Sequence, residues 1–430
     1  MKRIFIYLLG LRTKAIIAKF KPKIVAITGS VGKTSAKEAI ALALGTKFNV
    51  RTAYKNYNNE FGVPFAVIGA KSPNRNPIAW LMLFFKSFFI KDYPEVLVLE
   101  YGVDKPCDMD YLCSLAKPDI AVVTGISTIH AGNFKNIEAL VQEKAKITMC
   151  VNHGGLVVLN EDDEKVLAME RDANERVVKY GSKSLENTYE NMILSAEPDA
   201  HFSPGEIFLT TVSDIIIHGE RFGEIRLNNM IGYAPMMSVL CALTVAHEMG
   251  VSVADAIKTL SNKYHASAGR LNPIAGIKGS LIIDDSYNAA PAAMQNGLEA
   301  LRIFRLTEDD NRKIVALGSM AELGQYSDQE HRLIGMKVAE VADVFVAVGE
   351  NMRVAVDAAI EAGMYREAIE WFATSEEAGR YLDREIQEGD IVYVKGSQSS
   401  RMEKVVKDIM AEPLRASELL VRQEEKWLKI

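Results

Sequence analysis

Cysteine is scarce: Cys107, Cys113, Cys150 and Cys241 are the four in a chain of 430 residues. None forms a CxxC pair, so a disulfide framework is excluded and a reducing cytoplasm is the natural setting. Cys107 and Cys113 have no second Cys/His pair at zinc-site spacing, which leaves ordinary buried thiols. An excess of basic charge is also lacking. Lys and Arg number 50 against 56 Asp and Glu, a net charge of −6. Such a chain has no bulk electrostatic reason to coat nucleic acid, although it can hold anions in local sites. No apolar run is long enough to span a bilayer. The start, MKRIFIYLLGLRTKAIIAKFKPK, has basic residues after its apolar stretch and no small-residue cleavage site. Residues 1–22 therefore read as a basic amphipathic helix lying on the domain or on a membrane surface. IAWLMLFFKSFFI at 78–90 contains Lys86 and is about half the ~20 residues a spanning helix needs. A buried or surface-docked helix fits, with weak peripheral membrane contact as the lesser alternative. Internal repeats and low-complexity runs are missing too.

What is present is apolar material for more than one core. Hydrophobic residues make up 48% and charged residues 25%, which excludes a disordered or small stapled protein. Short β-rich runs at 23–28, 95–100, 119–125, 155–160 and 176–181 alternate with helical patterns such as 35–44 and 136–147. This alternation predicts an α/β fold of βαβ units with a mostly parallel sheet. Residues 190–229 change character and read as a small antiparallel or edge sheet, followed by helices near 234–249 and 253–262. HASAGRLNPIAG (265–276), rich in Gly, Pro and small residues, reads as a hinge. The alternation then restarts: SLIIDDS, a helix near 291–304, KIVALGS, a helix near 328–341, VFVAVG, a helix, DIVYVKGS and a final helix. The expected organisation is the helix 1–22, a P-loop ATP-binding domain at 23–266 and a smaller doubly wound, Rossmann-like domain at 267–430.

The strongest local signal is AITGSVGKTS, Ala26 to Ser35, which follows an apolar strand and opens a helix. Gly29 and Gly32 let the backbone N–H groups of Ser30 and its neighbours approach phosphate oxygens, aided by the helix dipole. Lys33 can reach the β- and γ-phosphates, and the Thr34 hydroxyl can ligate Mg²⁺. The spacing departs from G-x-x-x-x-G-K-T, because Ile27 stands where the first glycine would be.

The short loop T-G-S-x-G-K-T-S resembles that of the Mur ligase superfamily. NYNNEFGVP (56–64), VLEYGVDKPCDM (98–109), His130 with QEKAKI (142–147) and GRLNP (269–273) are similar to its further motifs, in the same order. DDSYNAAP (284–291), GSMAELG (318–324) and KGSQSSRME (395–403) point to its MurF-type branch, the UDP-N-acetylmuramoyl-tripeptide–D-alanyl-D-alanine ligases. The resemblance spans residues 23 to about 410. It implies an ATP- and Mg²⁺-dependent ligase that activates a carboxylate as an acyl phosphate and joins it to an amine, in peptidoglycan precursor synthesis. Its partners would be a carboxylate acceptor precursor and D-Ala-D-Ala or a similar amine; no nucleic-acid partner is expected, and the chain is expected to be a monomer.

By residue, the resemblance implies that Gly29, Ser30, Gly32, Lys33, Thr34 and Ser35 cradle the phosphates. Glu100, at a strand end on the sheet's carboxyl edge, would share the first Mg²⁺ with Thr34; without the P-loop it would read as an exposed strand-end Glu. His130 would ligate a second Mg²⁺, where a His alone reads as a hydrogen-bonded structural residue. Lys144, otherwise a solvated lysine, would be carbamylated by CO₂ and bridge toward that second Mg²⁺; Lys146 is the other lysine of the motif. Asn160 would lie on the adenine side, and Arg270, Asp285 and Asn288 would contact the nucleotide from the smaller domain. Asn58 and Asn59 would face substrate, with a simple turn as the competing reading. Lys395, Ser397 and Arg401 would hold the incoming amino substrate. Because these parts sit on two domains, closure must assemble the site.

Two departures qualify the match. At 231–238, IGYAPMMS places Ala234, Pro235 and Ser238 where the family has an Asn-bearing helix start, so the same hydrogen bonds to adenine are not expected. Only 28 residues precede Gly29, too few for a UDP-gripping domain. That shortfall leaves two further readings: a Mur-like ligase for another acceptor (poly-γ-glutamate, pseudomurein or cofactor type), or a non-catalytic nucleotide-binding partner subunit.

Overall fold

The computed structural model describes residues 2–53, 57–71, 76–128, 131–181, 194–195, 210–217, 219–230, 232–304 and 311–428. In the first half, α1 (Lys2–Phe20) leads into β1 (Lys23–Thr28), α2 (Lys33–Leu44), β2 (Val50–Thr52), α3 (Gly62–Ile68), α4 (Pro77–Lys86) and β3 (Val96–Glu100). There follow α5 (Asp108–Leu115), β4 (Ile120–Val123), α6 (Ile137–Met149), β5 (Leu156–Asn160), α7 (Glu164–Leu167) and β6 (Arg176–Tyr180). The six strands form one parallel sheet in the order β2-β3-β1-β4-β5-β6.

Side-chain alternation explains why this sheet is covered twice. Along β1, Val25 and Ile27 join one core while Ile24 and Ala26 join the other. A strand buried on both faces needs apolar residues at successive positions, which Ile24, Val25, Ala26 and Ile27 supply. One face packs on α2, α8 (Tyr233–Glu248) and α9 (Val253–Lys263). The other packs on α1, α3, α5 and α6. Burying each Leu, Ile or Val of these cores contributes about 1.5–3 kcal/mol. Before α8, β7 (Leu194–Ser195), β8 (Thr210–Ile217) and β9 (Glu220–Asn228) pair antiparallel, the small accessory sheet anticipated for 190–229.

The second half is α/β as well. Its elements are β10 (Asn272–Ala275), β11 (Leu281–Asp285), α10 (Pro291–Ile303), β12 (Lys313–Gly318), α11 (Ser327–Val341) and β13 (Val344–Val348). They continue as α12 (Met352–Glu361), β14 (Ile369–Phe372), α13 (Ser375–Glu385), β15 (Ile391–Lys395) and α14 (Glu403–Ile409). The sheet order is β10-β11-β15-β12-β13-β14, parallel except for β10 against β11.

Three sequence expectations need correction. The unit β14–α13 was not foreseen between the helix after VFVAVG and the strand DIVYVKG. The hinge segment 265–276 is not all connection, because Asn272–Ala275 forms the edge strand β10. Helix α1 is not amphipathic: Leu9, Thr13 and Ile16 are buried, yet Tyr7, Leu8 and Leu11 are exposed. A fourth expectation is narrowed, not corrected: of the two readings for 78–90, buried or surface-docked, the structure has the surface-docked one, as α4 and a 3₁₀ turn at Ser87–Phe89.

Candidate active site

The phosphate loop is built by β1 stopping at Thr28 and α2 starting at Lys33. Gly29 has φ 146° and Gly32 φ 79°, both in the region that favours glycine. A side chain at Gly29 would put its Cβ 2.2 Å from Thr124 Oγ1, so the loop can lie this close to the next strand end only with glycine there. Gly32 is the N-cap of α2 and carries no side-chain cap, leaving the first amides of the helix for an anion. The loop is tied down from the β4 side. Ser30 N donates to Gly125 O at 2.6 Å, and Thr124 Oγ1 donates to Val31 O at 2.5 Å.

Two lysines meet beneath it. Lys33 Nζ donates to Gly29 O at 2.8 Å and to Ser30 O at 3.3 Å, and burial lowers its pKa. Lys144, fully buried on α6, donates to Gly29 O at 3.1 Å. Burial, then the charge of Lys33, push its pKa down to about 7. Lys146, the alternative in the same motif, faces away and pairs with Asp110 and Glu143 at 2.5 and 2.8 Å.

Glu100 ends β3 in register with Ile27 and is buried. Its Oε2 accepts from Thr34 Oγ1 at 3.0 Å, and its Oε1 from Asn58 Nδ2 at 3.2 Å. Lys37 Nζ stands 3.9 Å from the same carboxylate. A hydroxyl and a carboxylate side by side at a phosphate loop are hard oxygen donors of the kind that suit Mg²⁺, so this pair fits that ion. Among the described residues no group of three or more His, Cys, Asp and Glu is placed to hold a metal. His130 lies outside the described residues.

The smaller domain reaches over the loop through the hinge. Gly269 (φ 70°) and Leu271 (φ 48°) turn the chain, and the adjacent aspartates of β11 hold the turn. Asp284 accepts from Gly269 N at 3.0 Å and from Ser286 N at 3.0 Å; Asp285 accepts from Leu271 N at 3.3 Å. Burial raises both carboxyls, that of Asp284 to about 6. Asp285 is also paired with Lys395 Nζ at 2.6 Å and accepts from Tyr393 Oη at 3.1 Å. Arg270, held over the Tyr287 ring at 4.3 Å, extends Nη2 to Thr34 Oγ1 at 3.3 Å. The hinge thereby joins the two halves at the phosphate loop.

Between them lies a cavity of about 640 Å³. Of the expected residues, Ser30, Gly32, Lys33, Thr34, Ser35, Asn58, Glu100, Asn160, Arg270, Asp285, Asn288 and Lys395 line it. Gly29 and Lys144 sit just behind its wall. Asn59 is spent on the start of α3, accepting from Phe61 N and Gly62 N at 3.2 and 3.1 Å. Ser397 Oγ is shared with Ser399 and Ser400 at 3.0 Å. Arg401 is engaged by Glu403 at 2.6 Å and by Trp427 O at 3.0 Å, while its Nη1 is buried without a hydrogen-bond partner. Asn160 donates to Thr124 O at 2.7 Å, bracing the loop end.

The far end of the cavity is lined by Tyr180, Met230, Tyr233, Ala234, Pro235 and Ser238. Ser238 Oγ donates to Ala234 O at 3.2 Å, and Tyr233 Oη donates to Asp162. Aromatic and apolar surface therefore replaces the amide contacts expected of the family at this end. Sequence reasoning missed Lys37, Asp284, Tyr264 and Tyr287. Lys37 was findable, since it stands four residues from Lys33 on one helix face. Tyr264, which donates to Ser35 O at 3.3 Å, had no sequence signal.

The chain matches the Mur ligase middle domain over residues 27–236 and the Mur ligase, glutamate ligase domain over residues 269–398. It is 31% identical over 414 residues to the UDP-N-acetylmuramoyl-tripeptide–D-alanyl-D-alanine ligase of Mycobacterium tuberculosis, covering 90% of this chain and 73% of the relative. The Bacillus subtilis enzyme of the same name is 25% identical, over 93% of this chain and 79% of its own. In fold, the chain is similar to the Thermotoga maritima MurF ligase crystallised with ADP, with a TM-score of 0.74, 23% identity and coverage of 94% and 83%.

Proposed function

The chain belongs to the Mur ligase family, in its MurF-type branch, and from that premise we propose that it adds D-alanyl-D-alanine to a UDP-muramyl-tripeptide in peptidoglycan precursor synthesis. The observation that carries the reading is one run of contacts, Asn58–Glu100–Thr34–Arg270. It links an acceptor-side loop, a phosphate loop and the hinge of the second domain around one cavity.

The reaction is two transfers. An oxygen of the tripeptide carboxylate attacks the γ-phosphorus of ATP, giving an acyl phosphate and ADP. The amine of D-Ala-D-Ala then attacks the acyl carbon, the C–O bond to phosphate breaks, and the amine loses its proton as the amide forms. The loop amides from Ser30 to Thr34 and the Lys33 ammonium hold the phosphates in line. Arg270 adds a fixed fork of donors from the other side, positioned by Tyr287 and by the Asp284 and Asp285 turn. Asn288 lines the same wall. Thr34 and Glu100 would hold Mg²⁺, which neutralises charge on the transferring phosphoryl group when bound.

Burial of Lys144 and its pKa of about 7 support carbamylation, since a neutral amine adds CO₂. The carbamate would then serve, with His130, a second Mg²⁺. Asn58 orients the Glu100 carboxylate on the acceptor side, and Asn59 fixes the loop that carries it. Lys395 faces the cavity from the smaller domain, with the Ser397 and Arg401 turn behind it, and receives the incoming dipeptide. At the base-binding end, Asn160 braces the loop while Tyr180 and Tyr233 offer ring surface to the adenine. The four cysteines are free thiols, consistent with a reducing cytoplasm. Mass-spectrometric identification of the product from ATP, UDP-muramyl-tripeptide and D-Ala-D-Ala tests the assignment; phosphate release indifferent to both substrates rejects it.

A further inference from the structure

Helices α1 and α4 lie side by side on the outside of the larger domain. Phe5 meets Trp80 edge to face at 4.7 Å, Arg12 Nε donates to Ser87 Oγ at 2.9 Å, and the Arg12 guanidinium covers the Phe88 ring at 4.1 Å. Their inner sides are sealed into the core by Leu9 and Ile16, with Trp80 and Leu83 packed against it. The outer side is apolar as well. Ile78, Leu81, Met82, Phe85, Phe88 and Phe89 are 50–77% exposed, and their spacing (i, i+3, i+4, i+7, i+10, i+11) traces one helical face. Tyr7, Leu8 and Leu11 extend it across α1. Scattered surface hydrophobics need no explanation, but an apolar face spanning two adjacent elements marks an interaction site.

Charge says with what. Residues 1–37 and 61–91 contain no Asp or Glu, although the whole chain carries −6. Lys14 and Lys19 are exposed on α1, and Lys86 and Lys91 are exposed at the end of α4 and just beyond it. Among the described residues no helix is long and apolar enough to cross a membrane, so the face of α1 and α4 can lie on a bilayer but not through it. We propose that it docks on an anionic lipid surface. The aromatic and aliphatic stripe enters the boundary between headgroups and acyl chains, and the lysines meet the lipid phosphates. Pairing of the same face with a second copy would set two sets of these lysines against each other, which disfavours a symmetric dimer. The inference is independent of which substrates the cavity takes.

The test is co-sedimentation of the full chain with phosphatidylcholine vesicles, with and without phosphatidylglycerol. The expected result is binding to the anionic vesicles that weakens roughly tenfold on neutral ones and falls with salt. Phe85→Glu with Phe89→Glu, and separately Lys14→Glu with Lys19→Glu and Lys86→Glu, should each lower the bound fraction to a similar degree while leaving the thermal unfolding midpoint unchanged. Absence of binding to either vesicle overturns the proposal. So does equal binding to both, or a wild-type dimer that the phenylalanine variant turns into a monomer.

Discussion

Lys144 Nζ donates to the carbonyl oxygen of Gly29 at 3.1 Å, which fixes a buried lysine of α6 under the first residue of the phosphate loop. Its pKa of about 7, set first by burial and then by Lys33, makes a neutral amine available near neutral pH. A carbamate forms only from that neutral amine. Activity should therefore fall as pH drops below about 7, where the ammonium dominates, and removal of bicarbonate should deepen the loss. Lys144→Arg, which stays cationic, should lower kcat by roughly a hundredfold or more, and Lys144→Ala should recover in part with a short carboxylic acid. Steady-state rates against pH, with and without bicarbonate, check this; a profile indifferent to both contradicts it.

Thr34 and Glu100 share a 3.0 Å hydrogen bond and form the hard-oxygen pair of the site. Thr34→Ala should raise the Mg²⁺ concentration needed for half-maximal rate and cost roughly a hundredfold in kcat, whereas Thr34→Ser should retain most activity. Titrating the rate with Mg²⁺ at saturating ATP reads this directly.

Gly29→Ala is the sharpest probe of the loop. A methyl group there collides with Thr124 Oγ1 and approaches the Gly125 backbone at 3.1 Å, on a backbone at φ 146°. The loop must shift away from the β4 end, at a cost of about 1–3 kcal/mol. Calorimetric ADP binding should be lost while the far-ultraviolet spectrum remains that of the wild type.

Asp284 carries a pH signature in stability. Burial raises its folded-state pKa to about 6 from an unfolded value of 3.8. The folded state then binds more protons than the unfolded state between those values. The contribution of Asp284 is fully present below 3.8 and is lost as pH rises through about 6. Relative to Asp284→Asn, the wild type should lose on the order of 3 kcal/mol of stability over that window, from the two-unit shift. Urea unfolding of both proteins across this pH range measures it.

The strands KIVAIT and VLVLE and the helix after GKTS were legible because burial on both sheet faces and an uninterrupted helical period leave little choice. The unit β14–α13 was not. IEWF is four residues long and only Ile369 is fully buried, while α13 buries small residues, Ser375, Ala378 and Gly379, beside Leu382. The buried stripe keeps regular i, i+3, i+4, i+7 spacing, but it is built of small residues and one leucine, so it carries little apolar weight among the charges. In the site, chemistry-bearing types at motif spacing stood out: Lys33, Thr34, Glu100 and Arg270. Asp284 and Tyr264 act by meeting groups elsewhere along the chain, through tertiary packing that spacing does not encode, whereas Lys37 keeps helical spacing from Lys33. Asn59, equally conspicuous in the motif, is used by the local turn.

In the reaction proposed for this chain, ATP activates a carboxylate before it is joined to an amine. Oxygen-18 placed in the acceptor carboxylate of UDP-muramyl-tripeptide tests it most directly. With ATP and D-Ala-D-Ala, one labelled oxygen is expected in the released phosphate for each amide formed. Amide formation with unlabelled phosphate, or phosphate release without any ligated product, would contradict it.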